Sequence, residues 1–243
     1  MDLELTGKRA LVTGAAGGLG AAIANVLSAE GVVSVQADIC EPKEEMPVGN
    51  VYLPCDLSDI AGTQTLVTQA VAAAGSLDIL VNCAGLWPTC FISDMTVSQW
   101  QKTLDVNLTS AFVLSRDFVN HCIAESRPGV ILNITSQAGF GGATSGHAHY
   151  AAAKAGMVNF TKSLARETAR QGIRVNALAP GMMETSMASA ALDERRDTYL
   201  ERIPLGRVAS PSEVAAVATF LCSCKSGYMT GATVDVSGGM LMH

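Results

Sequence analysis

The chain has 243 residues, of which 49% are hydrophobic and 16% charged, so it can bury a substantial core and is not a disordered polymer. Its net charge is −6, from 16 basic and 22 acidic residues, and no block of basic residues stands out. This charge argues against nucleic acid as the main partner.

The stretch 10–29 carries no charge and has the length of a membrane span, but four glycines interrupt it. The glycines favour a strand, a loop and a helix in water, so we expect no membrane partner. The first residues lack a basic segment followed by an apolar one, so no signal peptide is predicted. Seven cysteines at scattered spacings indicate reduced thiols in a cytoplasmic protein, and no residue spacing indicates a metal site.

Apolar strand-like runs alternate with helix-like segments along most of the chain. The predicted order is strand 9–12, helix 18–30, strands 32–37 and 51–55, helix 60–74, strand 79–82, helix 99–125, strand 130–135, helix 151–171, strand 174–178, helix 211–221 and strand 233–236. The runs are continuous, as in strands that are buried on both faces. The pattern predicts one α/β domain over 1–243, a Rossmann-type doubly wound parallel sheet of about seven strands with helices on both faces.

Two segments, 86–96 and 182–205, are less regular and mix Pro, Met and Ser with other polar residues. Both follow predicted strands, and loops at the carboxyl ends of strands surround the ligand crevice in such sheets. We therefore expect both to be substrate loops. Segment 86–96 fits an ordinary surface connection equally well, whereas the length of 182–205 favours a functional lid.

A glycine-rich turn, Thr13-Gly14-Ala15-Ala16-Gly17-Gly18-Leu19-Gly20, joins the first strand to the first helix. Glycines there allow a tight turn and a close approach of the backbone to a pyrophosphate, and the helix offers free N–H groups to phosphates. Asp38 ends the second strand and can accept hydrogen bonds from the ribose hydroxyls of an adenosine. Its charge would repel a 2′-phosphate, and the loop has no basic residue, so NAD is predicted rather than NADP.

Tyr150 and Lys154 are four residues apart on one face of a predicted helix, a spacing that carries little meaning alone. Together with other motifs in the same order, however, the chain resembles the short-chain dehydrogenase/reductase family over nearly its whole length. The motifs that carry the resemblance are the glycine turn, Asp56-Leu57, Asn82-Cys83-Ala84-Gly85, Asn107, Asn133-Ile134-Thr135-Ser136, the Tyr150/Lys154 pair, and Pro180-Gly181 with Thr185.

The resemblance implies a catalytic set of four residues. Tyr150 would be the general acid or base, and Lys154 would favour its phenolate and hold the nicotinamide ribose. Ser136 would bind the substrate oxygen, and Asn107 would hold a water that connects Lys154 to solvent. The implied cofactor-binding residues are Gly14, Gly18, Leu19, Gly20, Asp38, Ile39, Asp56, Leu57, Asn82, Ala84, Gly85, Tyr150, Lys154, Pro180, Gly181, Met183 and Thr185.

The sequence departs from the family pattern in two places. Cys83 stands where the family has a second Asn, and Ser136 precedes Tyr150 by fourteen residues, about one more than usual. Ser145 is a rival to Ser136, but it lies too near Tyr150 and in a loop-like stretch. His147 and His149 flank the site in sequence; they either contact a polar substrate or are loop histidines without a role.

These features predict an NAD-dependent oxidoreductase that interconverts a secondary alcohol (a polyol, sugar or cyclic alcohol) and its ketone. One alternative is a 3-oxoacyl-thioester (acyl-carrier-protein) reductase, which the chain resembles in length and over 203–215. That activity usually takes NADP, which Asp38 disfavours. A non-catalytic NAD-binding regulatory module would predict that some of the four catalytic residues are missing. Helices 99–125 and 151–171 carry more apolar residues than one sheet face can bury, and the family pairs them, so a homotetramer is expected.

Overall fold

Seven parallel strands form one sheet in a computed structural model that describes residues 2–42, 45–143 and 145–242. The strands are β1 (Arg9–Thr13), β2 (Val33–Asp38), β3 (Val51–Pro54), β4 (Ile79–Asn82), β5 (Gly129–Ile134), β6 (Ile173–Pro180) and β7 (Thr233–Val236). Their order across the sheet is β3-β2-β1-β4-β5-β6-β7. The order reverses between β1 and β4, and such a switch point opens a crevice at the carboxyl ends of the strands.

Helices cover both faces of the sheet, as the sequence predicted. They are α1 (Gly18–Ala29), α2 (Ile60–Ala74), α3 (Val97–Leu104), α4 (Ser110–Ala124), α5 (Ala138–Gly141), α6 (Ala148–Thr168), α7 (Ser189–Leu200) and α8 (Pro211–Cys222). α1 packs against α8 on one face, and α2 packs against α4 on the other. The doubly wound fold is therefore confirmed.

Each face of the sheet has its own apolar core. Val12 of β1 packs with Ile23 of α1 and Val214 of α8, whereas the preceding residue, Leu11, packs with Phe118 of α4 on the opposite face. Successive residues of a strand point to opposite faces. This explains why the strand sequences are continuously apolar.

The prediction of one regular helix over 99–125 is wrong, because the helix is interrupted and begins earlier in the chain. A π-helical turn at Asp105–Thr109 separates α3 from α4, and α3 already begins at Val97. Thr96 caps α3, since its side chain accepts a hydrogen bond from the N–H of Gln99 (3.2 Å) and its own N–H donates to the Gln99 side chain (2.9 Å). This reciprocal capping box sets the first turn of the helix.

Segment 182–205 also differs from its prediction as an irregular loop, because it contains α7. Only Leu192 and Tyr199 of this helix are buried, two turns apart; Ala191 and Leu200 are partly buried, and the other residues are exposed. So short an apolar stripe gives almost no helical signal in the sequence. Among the described residues, no helix combines the length and the apolarity needed to cross a membrane.

Candidate active site

A cleft of about 520 Å³ lies at the carboxyl ends of the central strands. All the predicted catalytic residues line it, and so do all the predicted cofactor-binding residues except Asn82. The lining residues are Asn107, Ser136, Tyr150, Lys154, Gly14, Gly18, Leu19, Gly20, Asp38, Ile39, Asp56, Leu57, Ala84, Gly85, Pro180, Gly181, Met183 and Thr185. The fold thus gathers segments that are up to 171 residues apart, counted from Gly14 to Thr185.

The glycine turn lets three elements meet closely at one end of the cleft. Gly14 has φ +70°, and a Cβ there would stand 2.7 Å from the Cα of Ala84. A Cβ on Gly20 would stand 2.0 Å from the carbonyl oxygen of Gly14. α1 starts after Gly17 without a side-chain cap, so its first N–H groups remain available to an anion. These features fit the pyrophosphate of a dinucleotide.

Side chains fix the same end of the cleft from two sides. The Thr13 hydroxyl accepts hydrogen bonds from the N–H groups of Cys83 (3.1 Å) and Ala84 (3.2 Å), which joins β1 to β4. Asp38 accepts hydrogen bonds from the N–H of Ala16 (2.9 Å) and of Cys40 (3.1 Å). Its carboxylate is therefore held beside the glycine turn, where an adenosine ribose would be bound.

Tyr150 and Lys154 lie one turn apart on α6, and the Lys154 Nζ is 5.7 Å from the centre of the Tyr150 ring. The buried Lys154 ammonium donates a hydrogen bond to the carbonyl of Ile134 (2.8 Å). Burial lowers the pKa of Lys154 to about 8. Burial also raises the pKa of Tyr150, and a hydrogen bond with Ser136 opposes that rise. The three side chains therefore lie close together in the cleft, an arrangement suited to proton transfer.

Asn107 lies in the π-helical turn and is fully buried. Its amide group donates hydrogen bonds to the carbonyls of Leu86 and Thr103, both at 3.0 Å, and its Oδ1 accepts from the N–H of Leu86 at 3.3 Å. A Cβ on Gly85 would stand 2.7 Å from this Oδ1 and 3.7 Å from the Lys154 Nζ. Asn107 therefore anchors the start of segment 86–96 beside Lys154, while its role in holding a water stays a prediction.

Asn82 is the one predicted cofactor-binding residue that does not line the cleft. Its amide donates hydrogen bonds to the side chains of Ser115 (3.2 Å) and Asn133 (2.8 Å), and Asn133 donates to Thr161 (2.9 Å). This buried chain ties β4 and β5 to α4 and α6. A structural role accounts for its placement, and its contact with a cofactor stays a prediction.

A smaller cavity of about 110 Å³ adjoins Tyr150 and Ser136. Both predicted substrate loops contribute to it, with Trp87 from the first and α7 from the second. The two predicted substrate loops contain part of its lining, although the sequence singled out none of these residues individually: Trp87, Met182, Met187, Ala188, Tyr199 and Arg202. Sequence reasoning missed the remaining wall residues, which lie outside those loops and share no motif: Gln137, Ala138, Ala143 and Met240.

Trp87 is held in place by His147. The two rings are stacked with centres 4.6 Å apart and planes at 21°, and the Trp87 ring centre is 6.5 Å from that of Tyr150. His147 donates a hydrogen bond from Nδ1 to the carbonyl of Pro88 (2.9 Å). Burial lowers the pKa of His147, so its neutral form is favoured. His147 therefore supports the cavity wall, an assignment that sequence alone had left open.

Comparisons with known proteins agree with this geometry. The family model described as Enoyl-(Acyl carrier protein) reductase matches residues 14–241. Nodulation protein G of Rhizobium sp. (strain N33) is 40% identical, with 98% of this chain and 99% of that protein covered. The 3-oxoacyl-(acyl-carrier-protein) reductase FabG of Escherichia coli (strain K12) is 38% identical, with 99% and 100% covered.

A solved structure from Agrobacterium tumefaciens, provisionally assigned as a 2-deoxy-D-gluconate 3-dehydrogenase and containing bound NADP, has the same fold. It superposes with a TM-score of 0.91 and is 37% identical, with 98% of each chain covered. The match of family model, relatives and fold extends over almost every described element. The chain therefore belongs to the short-chain dehydrogenase/reductase family of oxidoreductases.

Proposed function

We propose that residues 1–243 form one NAD(H)-dependent oxidoreductase domain that interconverts a secondary alcohol and its ketone. The observation that carries the proposal is the convergence of Tyr150, Lys154 and Ser136 at the inner end of a cleft whose outer end holds Asp38. The complete set of catalytic side chains argues against a non-catalytic binding module.

The chain's own residues handle the proton. A nicotinamide dinucleotide bound in the cleft supplies the hydride acceptor or donor. As a phenolate, Tyr150 takes the proton of the alcohol in the oxidation, and as a phenol it gives a proton to the ketone oxygen in the reduction. The Ser136 hydroxyl donates a hydrogen bond to the same substrate oxygen. With a pKa of about 8, Lys154 is mainly an ammonium at neutral pH, and its charge favours the Tyr150 phenolate.

NAD is proposed as the cofactor because of Asp38. A carboxylate beside the glycine turn accepts hydrogen bonds from ribose hydroxyls and repels a 2′-phosphate. NADP is the competing cofactor, since the Agrobacterium relative is recorded with it. The ratio of kcat/KM with NAD to kcat/KM with NADP distinguishes the two cofactors.

The substrate is proposed to be a polyol, sugar or cyclic alcohol, in line with the sugar-acid dehydrogenase assignment of the Agrobacterium relative. The second candidate is a 3-oxoacyl thioester, which the 38% identity to FabG over the full chain favours. Absorbance at 340 nm, followed with each cofactor against these alcohols, their ketones and a short 3-oxoacyl thioester, tests both. Turnover of the thioester alone would overturn the first choice, and no turnover of any compound would overturn the proposed activity.

We also propose a cytoplasmic homotetramer. All seven cysteines are free thiols, which suits a reducing compartment. Phe112 of α4 is 46% exposed and meets Phe160 of α6 edge-to-face at 6.2 Å, with Arg116 5.9 Å from the Phe112 ring. An aromatic pair on two neighbouring helices, with Phe112 exposed and Phe160 half-buried, suits a two-fold interface.

Phe112→Asp should break this interface, because it would place a charge on each side of the two-fold axis. Sedimentation velocity at micromolar concentration should show a tetramer for the unmodified chain and smaller species for the variant. The same substitution at the exposed Phe140, which lies outside α4 and α6, serves as the control and should leave the tetramer intact. A monomeric unmodified chain would overturn the proposed assembly.

A further inference from the structure

The small cavity beside Tyr150 has walls of unequal chemistry. Most of its lining is apolar and includes four methionine side chains, a tryptophan and a buried tyrosine ring. Among its described lining residues, Arg202 is the only one with a permanent charge. Arg202 is exposed to solvent, so it places a charge at the border between water and a largely apolar cavity.

The arginines near Arg202 in sequence are engaged with carboxylates. Arg196 pairs with Glu184 at 2.7 Å, Arg207 pairs with Glu213 at 2.6 Å, and Arg195 lies 3.3 Å from Glu194. In the part of the chain that the structure describes, Arg202 has no carboxylate within 4.0 Å. No carboxylate of the described chain therefore neutralises its charge.

The tertiary structure explains how Arg202 reaches this position. It follows α7 directly, and its backbone N–H donates a hydrogen bond to the carbonyl of Tyr199 (3.0 Å). The neighbours Tyr199 and Ile203 are buried in a cluster with Leu192 and Val208, which fixes the backbone. Arg202, between them, lines the same cavity as Tyr150 and Ser136.

We propose that Arg202 binds a carboxylate of the substrate, so that the alcohol oxidised at Tyr150 is a hydroxy acid. This inference rests on the proposed function. A guanidinium binds a carboxylate with two parallel hydrogen bonds, which fixes orientation as well as position. A cavity of about 110 Å³ beside Tyr150 has room for the carboxylate end of a small acid. Arg202 would then decide which hydroxyl of the substrate faces Tyr150.

The test compares hydroxy acids with their uncharged amides, which keep the same carbinol and nearly the same shape. The pairs are 3-hydroxybutyrate with 3-hydroxybutyramide and gluconate with gluconamide. We expect an acid to exceed its amide in kcat/KM by about tenfold or more, the size of one charge-assisted contact. Arg202→Gln should bring that ratio close to one, and Arg202→Lys should give an intermediate ratio.

Arg195→Gln is the matched control, because it removes the same charge from the same segment outside the cavity lining. This variant should keep the ratio of kcat/KM for the acid to kcat/KM for the amide. If Arg195→Gln lowers that ratio as much as Arg202→Gln does, the effect comes from the general electrostatic field and the proposal is overturned. Calorimetric titration of the NADH-saturated enzyme with each acid and amide gives a reading that needs no turnover. Equal affinity for acid and amide, or tighter binding of inorganic phosphate than of either acid, also overturns it.

The same experiment separates the two proposals. If neutral alcohols are oxidised in a Tyr150-dependent way without preference for an acid, the role of Arg202 falls and the oxidoreductase proposal stands. If Tyr150→Phe retains turnover of an acid, the proposed function falls whatever Arg202 does.

Discussion

Two neighbouring parts of the proposed active site are built in different ways. The proposed cofactor end is the part of the cleft around the glycine turn; it consists of strand ends and backbone, with Gly14 and Gly20 allowing contacts that a Cβ would block. The proposed substrate end is the small cavity beside Tyr150; it consists of side chains from distant segments, such as Trp87 stacked on His147 and Arg202 shortly after α7. Backbone geometry on a parallel sheet tolerates few changes, whereas side chains on loops can change while the sheet stays the same. One fold can thus keep its cofactor and vary its substrate.

The sharpest way to separate the two ends is to remove the proposed proton carrier, Tyr150, which lines both of them. Tyr150→Phe should lower kcat by a factor of about 100 to 10,000, because the ring is kept but no proton can be transferred. The dissociation constant for NAD, measured by calorimetry, should change little. Near-normal kcat in this variant would show that another group handles the proton.

Gly14→Ala should break the cofactor end alone. The new Cβ would stand 2.7 Å from the Cα of Ala84 at a backbone with φ +70°, a strain of about 1–3 kcal/mol before any loss of contacts. We expect a lower thermal midpoint and a weaker affinity for NAD. Gly7→Ala is the matched control, since Gly7 has φ +78° with no atom within 4 Å of its Cβ position and does not line the cleft. It should lose stability without losing NAD affinity.

Asp38→Ala should change which of the two cofactors is preferred, without abolishing the use of NAD. The carboxylate would accept charge-assisted hydrogen bonds from the ribose, each contributing about 1.5–3 kcal/mol, and repel a 2′-phosphate. The ratio of kcat/KM with NAD to that with NADP should fall by about tenfold or more. Strong NADP binding should not appear, because the glycine turn has no basic residue. An unchanged ratio would refute the assignment of Asp38 to the ribose.

The smallest effect is expected at the substrate end from His147→Ala. Loss of the stacked ring, a contact of about 0.5–1.5 kcal/mol, should raise KM for the substrate several-fold and leave KM for the cofactor unchanged. Ser145→Ala, at an exposed position two residues before His147, is the control and should behave as the unmodified enzyme. Equal changes in KM for the substrate and for the cofactor would show that His147 does not support the wall of the small cavity.

His147 also makes the stability of the folded chain depend on pH. Burial lowers its pKa in the folded chain, so the unfolded chain binds the proton more readily. The stability that neutral His147 contributes is therefore fully present above about pH 6.5, the ordinary pKa of histidine. It is lost as the pH falls from there toward the lower pKa of His147 in the folded chain. Thermal midpoints between pH 5 and 8 should decline on the acid side, and less steeply in His147→Ala.

The sequence by itself determined the fold class, the glycine turn and the Tyr150/Lys154 pair. Each depends on short-range order: continuous apolar runs, a turn between a strand and a helix, and a spacing of one helical turn. Tertiary structure decided the π-helical turn at Asn107, the existence of α7, and the meeting of Trp87 with His147. The hydrogen bond from His147 to Pro88 spans 59 residues of sequence, and Arg202 lies 52 residues after Tyr150. Contacts at such separations follow from how whole elements pack on the sheet, which no local pattern in the sequence encodes.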